Sequence, residues 1–130
     1  MRAYHIAEIR HQYGYKYASP QWQNSPTLEY LKSLPSNQMI VSNGPDVVFV
    51  YTKRASHMIP EKFNTQSRQI RKNYTKELEK IDNQLKNEKG LLIYFKKITY
   101  RPYLIPLEEL NNHLKFKNTM DFSDSRIFIF

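Results

Sequence analysis

Apolar positions in this chain switch between helical spacing and short continuous runs, and that switching lays out the elements. Tyr4, Ile9 and Tyr13 keep helical spacing until Gly14 interrupts it, which predicts an amphipathic helix followed by a loop over residues 1–24. Ser25 is suited to cap a helix with Pro26 in its first turn, and Leu28, Leu31 and Leu34 recur every third residue until Pro35. A short surface helix with one buried stripe is expected there. Residues 38–42 form a strand around Met39, Ile40 and Val41, too continuously apolar for a sheet with one wet face. A central strand covered on both sides fits that run.

The run Val47-Val48-Phe49-Val50-Tyr51 suits a strand by propensity, yet the residues before it point to a helix. Pro45 fits a first helical position, Asp46 beside it meets the positive helix end, and Asn43 or Gly44 can serve as the cap. Residues 56–59 read as a weaker strand. Ile70, Tyr74, Leu78, Ile81 and Leu85 mark one face of a long helix over 66–89, which Gly90 stops. Leu91-Leu92-Ile93-Tyr94-Phe95 is a strong strand, followed by a polar and aromatic connection. Pro106 opens a short helix with Leu107, Leu110 and Leu114 inward, and the chain ends on two strands around Ser123-Asp124-Ser125.

Helices and strands thus alternate, which predicts a small three-layer α/β sandwich over residues 25–130, its sheet mostly parallel with a C-terminal antiparallel hairpin. With 130 residues, 40% of them hydrophobic, the chain has material for one modest core. No internal repeat or low-complexity segment is present.

Charge changes the picture of the surface. A formal net charge of +8 attracts phosphates, on nucleic acid or on anionic lipid headgroups. Ten tyrosines and seven phenylalanines, many beside Lys or Arg, fit either partner. The absence of cysteine removes disulfides, thiolate nucleophiles and cysteine zinc sites.

Candidate chemistry concentrates in Ser42-Asn43-Gly44-Pro45-Asp46, which follows the first strand, where ligands of open α/β sheets bind. A phosphate-cradling loop needs several glycines and free amides; this stretch has Gly44 alone, and Pro45 removes a donor. A structural strand-to-helix turn is the stronger reading, with Asn43, Gly44, Asp46 and the downstream Arg54 kept as ligand-binding candidates. His5, Glu8 and His11 diverge around their helix, which disfavours a metal site. Glu108 and Glu109 suit the dipole of a helix start, and Asp121 and Asp124 suit a turn. No nucleophile elbow or triad is visible, so no catalytic residue, metal or cofactor is assigned. On the long helix, Arg68, Arg71, Lys72, Lys76, Lys80, Lys86 and Lys89 are interspersed with Glu77, Glu79, Asp82 and Glu88, the pattern of a solvated face.

Several of these short motifs occur in an order that resembles the soluble C-terminal region of bacterial multi-pass membrane glycosyltransferases similar to the dolichyl-phosphate-mannose protein mannosyltransferases. The matching positions are Gly14-Tyr15 with Tyr17-Ala18-Ser19, Trp22, Leu34-Pro35, Ser42-Asn43 with Pro45-Asp46, and Thr52-Lys53-Arg54-Ala55 with Pro60. They cover residues 14–60; beyond them only the order of elements corresponds. Lys53 stands where the family has glycine, and Ala55 follows Arg54 where the family has proline. The resemblance implies a non-catalytic accessory domain on the extracytoplasmic face of the cell membrane, joined through residues 1–13 to a membrane-spanning part of the same polypeptide. The catalytic acids of such transferases lie upstream, and the implied partners are anionic headgroups or a polyprenyl-phosphate sugar. The alternative is a free-standing, cytoplasmic basic protein that binds nucleic acid.

Overall fold

The computed structural model describes residues 20–130, and the predicted N-terminal helix over 1–13, with His5, Glu8 and His11, lies outside them. A short turn of helix, α1 (Pro20–Gln23), leads into α2 (Pro26–Lys32). Ser25 caps α2 as its sequence suggests: the Leu28 amide donates to its hydroxyl, and Pro26 occupies the first turn. The chain continues through β1 (Ile40–Ser42), α3 (Pro45–Thr52) and β2 (His57–Met58), then α4 (Tyr74–Glu88), β3 (Leu91–Phe95), α5 (Leu107–His113), β4 (Asn118–Phe122) and β5 (Ser125–Ile129). The residues after β1 take the helix announced by Pro45 and Asp46, against the strand propensity of their side chains.

One five-stranded sheet carries these elements in the order β2-β1-β3-β5-β4. β1 runs parallel to β2 and to β3, while β5 is antiparallel to both β3 and β4. The sheet is therefore mixed rather than mostly parallel. The reason lies in β5, which takes the place beside β3 and leaves β4 as the edge. β4 and β5 pair as consecutive antiparallel strands with Phe122 opposite Ser125, so only Ser123 and Asp124 form the turn and Ser125 belongs to the ladder.

Alternate residues of the central strands enter two different cores, as the two-residue period of a strand requires. Ile40, Leu91, Ile93, Phe95 and Ile127 pack with Trp22, Leu28, Leu31, Val47 and Val48 of the first helices. Val41, Leu92 and Phe128 pack instead with Leu78 and Leu85 of α4 and Leu110 of α5. The expectation that β1 is covered on both faces is met: all three of its residues are buried. Trp22, 3% exposed, meets the Phe95 ring edge-on at 5.5 Å, so the core already draws on the segment that precedes residue 25.

Two helix boundaries differ from expectation for local reasons. The long helix begins at Tyr74 instead of residue 66, because residues 62–71 fold into a tight hairpin-like turn. There the Asn64 side-chain oxygen accepts the Gln66 and Ser67 amides at 2.9 and 3.0 Å, Phe63 bridges Ile70, and Arg71 returns to bond the Lys62 carbonyl. At the other end Lys89, not Gly90, takes the left-handed cap (φ 51°). Gly90 is needed for close approach instead, since a Cβ there would lie 2.7 Å from the Leu85 side chain and 3.1 Å from the Met39 carbonyl oxygen.

Candidate functional site

The turn after β1 is built inward. Ser42 Oγ accepts the Gly44 amide at 2.9 Å. The Asn43 side chain, 1% exposed, donates from Nδ2 to the Phe95 carbonyl at 3.0 Å and accepts the Phe95 amide on Oδ1 at 2.8 Å. One amide side chain thereby does for the end of β3 what a further pair of ladder bonds would do. Gly44 has φ −135°, a conformation open to any residue, so backbone freedom is not why glycine stands there. Close packing is: a Cβ would lie 3.2 Å from Phe95 Cδ2 and would collide with the side chain of Ile98.

Asp46, in the first turn of α3, receives both arms of Arg101, at 3.0 and 2.7 Å, and Arg101 also donates to the Asn43 carbonyl at 2.8 Å. The two side chains are 14% and 15% exposed, so this bidentate pair is largely shielded from water. Arg101 in turn lies over the Tyr100 ring, 5.0 Å from its centroid.

Asn43, Gly44 and Asp46 therefore come together, and the fold itself uses their contacts. Arg54 stands apart, beyond the opposite end of α3, an eight-residue helix that spans about 12 Å. Its guanidinium donates to the Leu34 carbonyl and, at 2.7 Å, to the Pro35 carbonyl. Lys53 before it caps α3 in the left-handed region (φ 59°, ψ 23°) and donates its amide to the Phe49 carbonyl at 2.8 Å. Around them lies a shallow hollow of about 410 Å³ lined by Ser36, Gln38, Thr52, Lys53, Arg54 and Ala55.

Sequence reading treated Asp124 as a turn residue and missed its depth. It is 3% exposed, and its carboxylate accepts the hydroxyls of Ser25 and, at 2.6 Å, Thr27, while Thr27 and Ser125 share a hydrogen bond of 2.5 Å. Among the described residues no histidine bonds to this cluster, and its hydroxyls fasten the start of α2 to the β4–β5 turn. The only signal in the chain is an unusual run of small hydroxyl residues, Ser25, Thr27, Ser123 and Ser125, around two turns.

Two further concavities differ in character. A cleft of about 240 Å³ between α4 and α5 is lined by Leu78, Asp82, Glu109, His113 and Lys115. Two of its carboxylates are engaged: Asp82 accepts the Lys115 amide at 2.9 Å, and Glu109 meets Lys62 at 2.5 Å, a bond that holds the Lys62 ammonium above its ordinary pKa. Among the described residues no group of three His, Asp or Glu side chains is placed to hold a metal ion. The second is an open groove of about 610 Å³ lined by Phe63, Asn64, Thr65, Arg68, Pro102 and Tyr103.

Comparison with known proteins finds no match: no family model, no curated protein and no solved structure is similar to the chain. Among the described residues no helix is long and apolar enough to cross a membrane.

Proposed function

We propose that this chain is a non-catalytic accessory α/β domain of a membrane-bound glycosyltransferase, held at the extracytoplasmic face of the cell membrane by a spanning part of the same polypeptide. In that setting it helps to place a polyprenyl-phosphate sugar donor or an acceptor. The observation that carries the reading is the way the scattered motifs of the resemblance become joints of one β1–α3 unit. Arg54 of the later motif caps the carbonyls of Leu34-Pro35 in the earlier one, Asn43 ties the turn to β3, and Trp22 enters the same core. Lys53 adds support: it adopts positive φ at the position where the resembling family has glycine, the residue that conformation favours.

With the turn engaged in structural bonds, and with no convergent set of acid, base and nucleophile described, the accessory role fits better than catalysis. A helical layer on each side of the sheet, suggested by the two separate cores, corresponds to a three-layer sandwich. Nucleic-acid binding draws less support, because Arg54, Arg71, Arg101 and Arg126 are all held by carbonyls or carboxylates of the chain.

Reading the gene upstream of Met1 tests the proposal. Several hydrophobic spans in the same frame are expected just before it; a stop codon immediately upstream would remove the glycosyltransferase reading.

A further inference from the structure

The corner formed by residues 60–71 and 101–105 carries features that the scaffold does not use. It is firmly built. The Lys62 and Phe63 amides both donate to the Tyr103 carbonyl, at 2.8 and 3.0 Å, and Ile105 returns a bond to Pro60. Arg71 clamps the base of the turn by donating to the Glu61 carbonyl at 2.9 Å and to both oxygens of Glu77. On this rigid base Phe63 and Ile70 form an antiparallel bridge, so their side chains project to one face. Ile70 is 57% exposed, the most exposed of the large hydrophobic residues described. Beside it opens the groove of Phe63, Pro102 and Tyr103, the roomiest concavity described. Arg68 lines that groove from the tip of the turn, held there with φ 61°. No hydrogen bond or ion pair engages its guanidinium among the described residues, unlike those of Arg54, Arg71, Arg101 and Arg126.

We propose that this corner, with Ile70 and Arg68 at its tip, is a docking surface for an anionic lipid bilayer. Ile70 and the apolar groove wall enter the headgroup boundary while Arg68 stays at headgroup level beside lipid phosphates. A net charge of +8 supplies the long-range attraction that brings this face down. Single-stranded nucleic acid fits the corner less well. Its most exposed apolar side chain is aliphatic and offers no ring for stacking, and one unpaired arginine in the groove makes no cationic track for successive phosphates. The inference deepens the membrane-side reading above and rests on it for the surface that the corner meets.

Co-sedimentation of the 130-residue protein with vesicles tests it, using phosphatidylcholine alone and phosphatidylcholine mixed with phosphatidylglycerol. Binding to the mixed vesicles and not to the neutral ones is expected. Arg68→Gln should weaken it about fivefold, the factor equivalent to about 1 kcal/mol for one basic residue at the surface. Ile70→Ser should weaken it about tenfold through lost apolar burial. Lys117→Gln removes the same charge beside β4, the sheet edge opposite β2, and should change binding less than twofold. All three positions are exposed, and unchanged melting temperatures will show that the variants fold. Failure to bind the mixed vesicles, an equal loss from Lys117→Gln, or an unaffected Ile70→Ser would each overturn the proposal. Tight binding of a single-stranded oligonucleotide, abolished by Arg68→Gln, would do so in favour of nucleic acid. Failure here with hydrophobic spans found upstream of Met1 would sink the docking corner and leave the accessory-domain reading in place; the converse pair of results would do the reverse.

Discussion

At the scale of single residues, the partnership of Asp46 and Arg101 decides what the turn after β1 can do. The carboxylate has two roles at once. It sits near the positive end of α3, worth about 0.3–1 kcal/mol, and it neutralises a guanidinium that is only 14% exposed. Asp46→Ala should therefore cost about 2 kcal/mol, more than the helix-end effect alone, because Arg101 loses the carboxylate that receives both of its arms. Denaturant unfolding of Asp46→Ala, Arg101→Ala and the double variant would measure the coupling. Additive losses, with no interaction energy between the two sites, would show that the pair contributes nothing beyond the helix end.

At the scale of elements, the ends of α3 and the cross-strand pairs of the hairpin give two tests. Lys53 holds a left-handed conformation that costs an L-residue about 1 kcal/mol or more, and its side chain is exposed. Lys53→Gly should raise stability by about 0.5 kcal/mol, the relief of that cost less the added freedom of the unfolded chain. A lower melting temperature would mean that the lysine side chain contributes a contact that offsets the strain.

In the hairpin, Asp121 of β4 lies opposite Arg126 of β5, which donates to it at 2.8 and 3.0 Å. Those hydrogen bonds, aided by the positive charge and opposed by partial burial, hold the Asp121 carboxyl below its ordinary pKa. A carboxyl with a depressed pKa in the folded state adds stability above its unfolded value of about 3.9, and that stability is lost as pH falls through the lower folded value. Asp121→Asn should therefore flatten the acid side of the stability curve below about pH 4 and leave its slope near neutrality unchanged. An acid limb as steep as that of the parent protein would place the protons elsewhere.

At the scale of the whole molecule, the sheet couples two cores through the same strands. Leu92 and Ile93 are neighbours on β3, both fully buried, and they face opposite sides. Truncating either one leaves a cavity in only one core, yet β3 pairs with β1 and β5, so neither core can open without the other losing its floor. Leu92→Ala and Ile93→Ala should each cost about 3 kcal/mol and shift one cooperative transition. Two resolved transitions, seen by far-UV and near-UV circular dichroism, would instead mean that the two faces unfold separately.

The sequence by itself determined whatever depends on contacts within a turn or two. Ser25 with Pro26 starts α2, Pro45 with Asp46 starts α3 against strand propensity, and Leu78, Ile81 and Leu85 mark the inner side of α4. Caps, fixed φ values and helical periodicity act between near neighbours, so they can be read without knowing the fold. Of the candidate residues, the structural use of Asn43, Gly44 and Asp46 was legible as a turn; the partners that engage them were not. Arg101 lies 55 residues from Asp46, and Ser25 lies 99 from Asp124, separations at which no local pattern speaks. Only the tertiary structure decided those pairs, the insertion of β5 beside β3 and the early folding back of residues 62–71. Each satisfies buried polar groups or removes apolar surface from water across distant segments, and which segments meet is chosen by the fold as a whole.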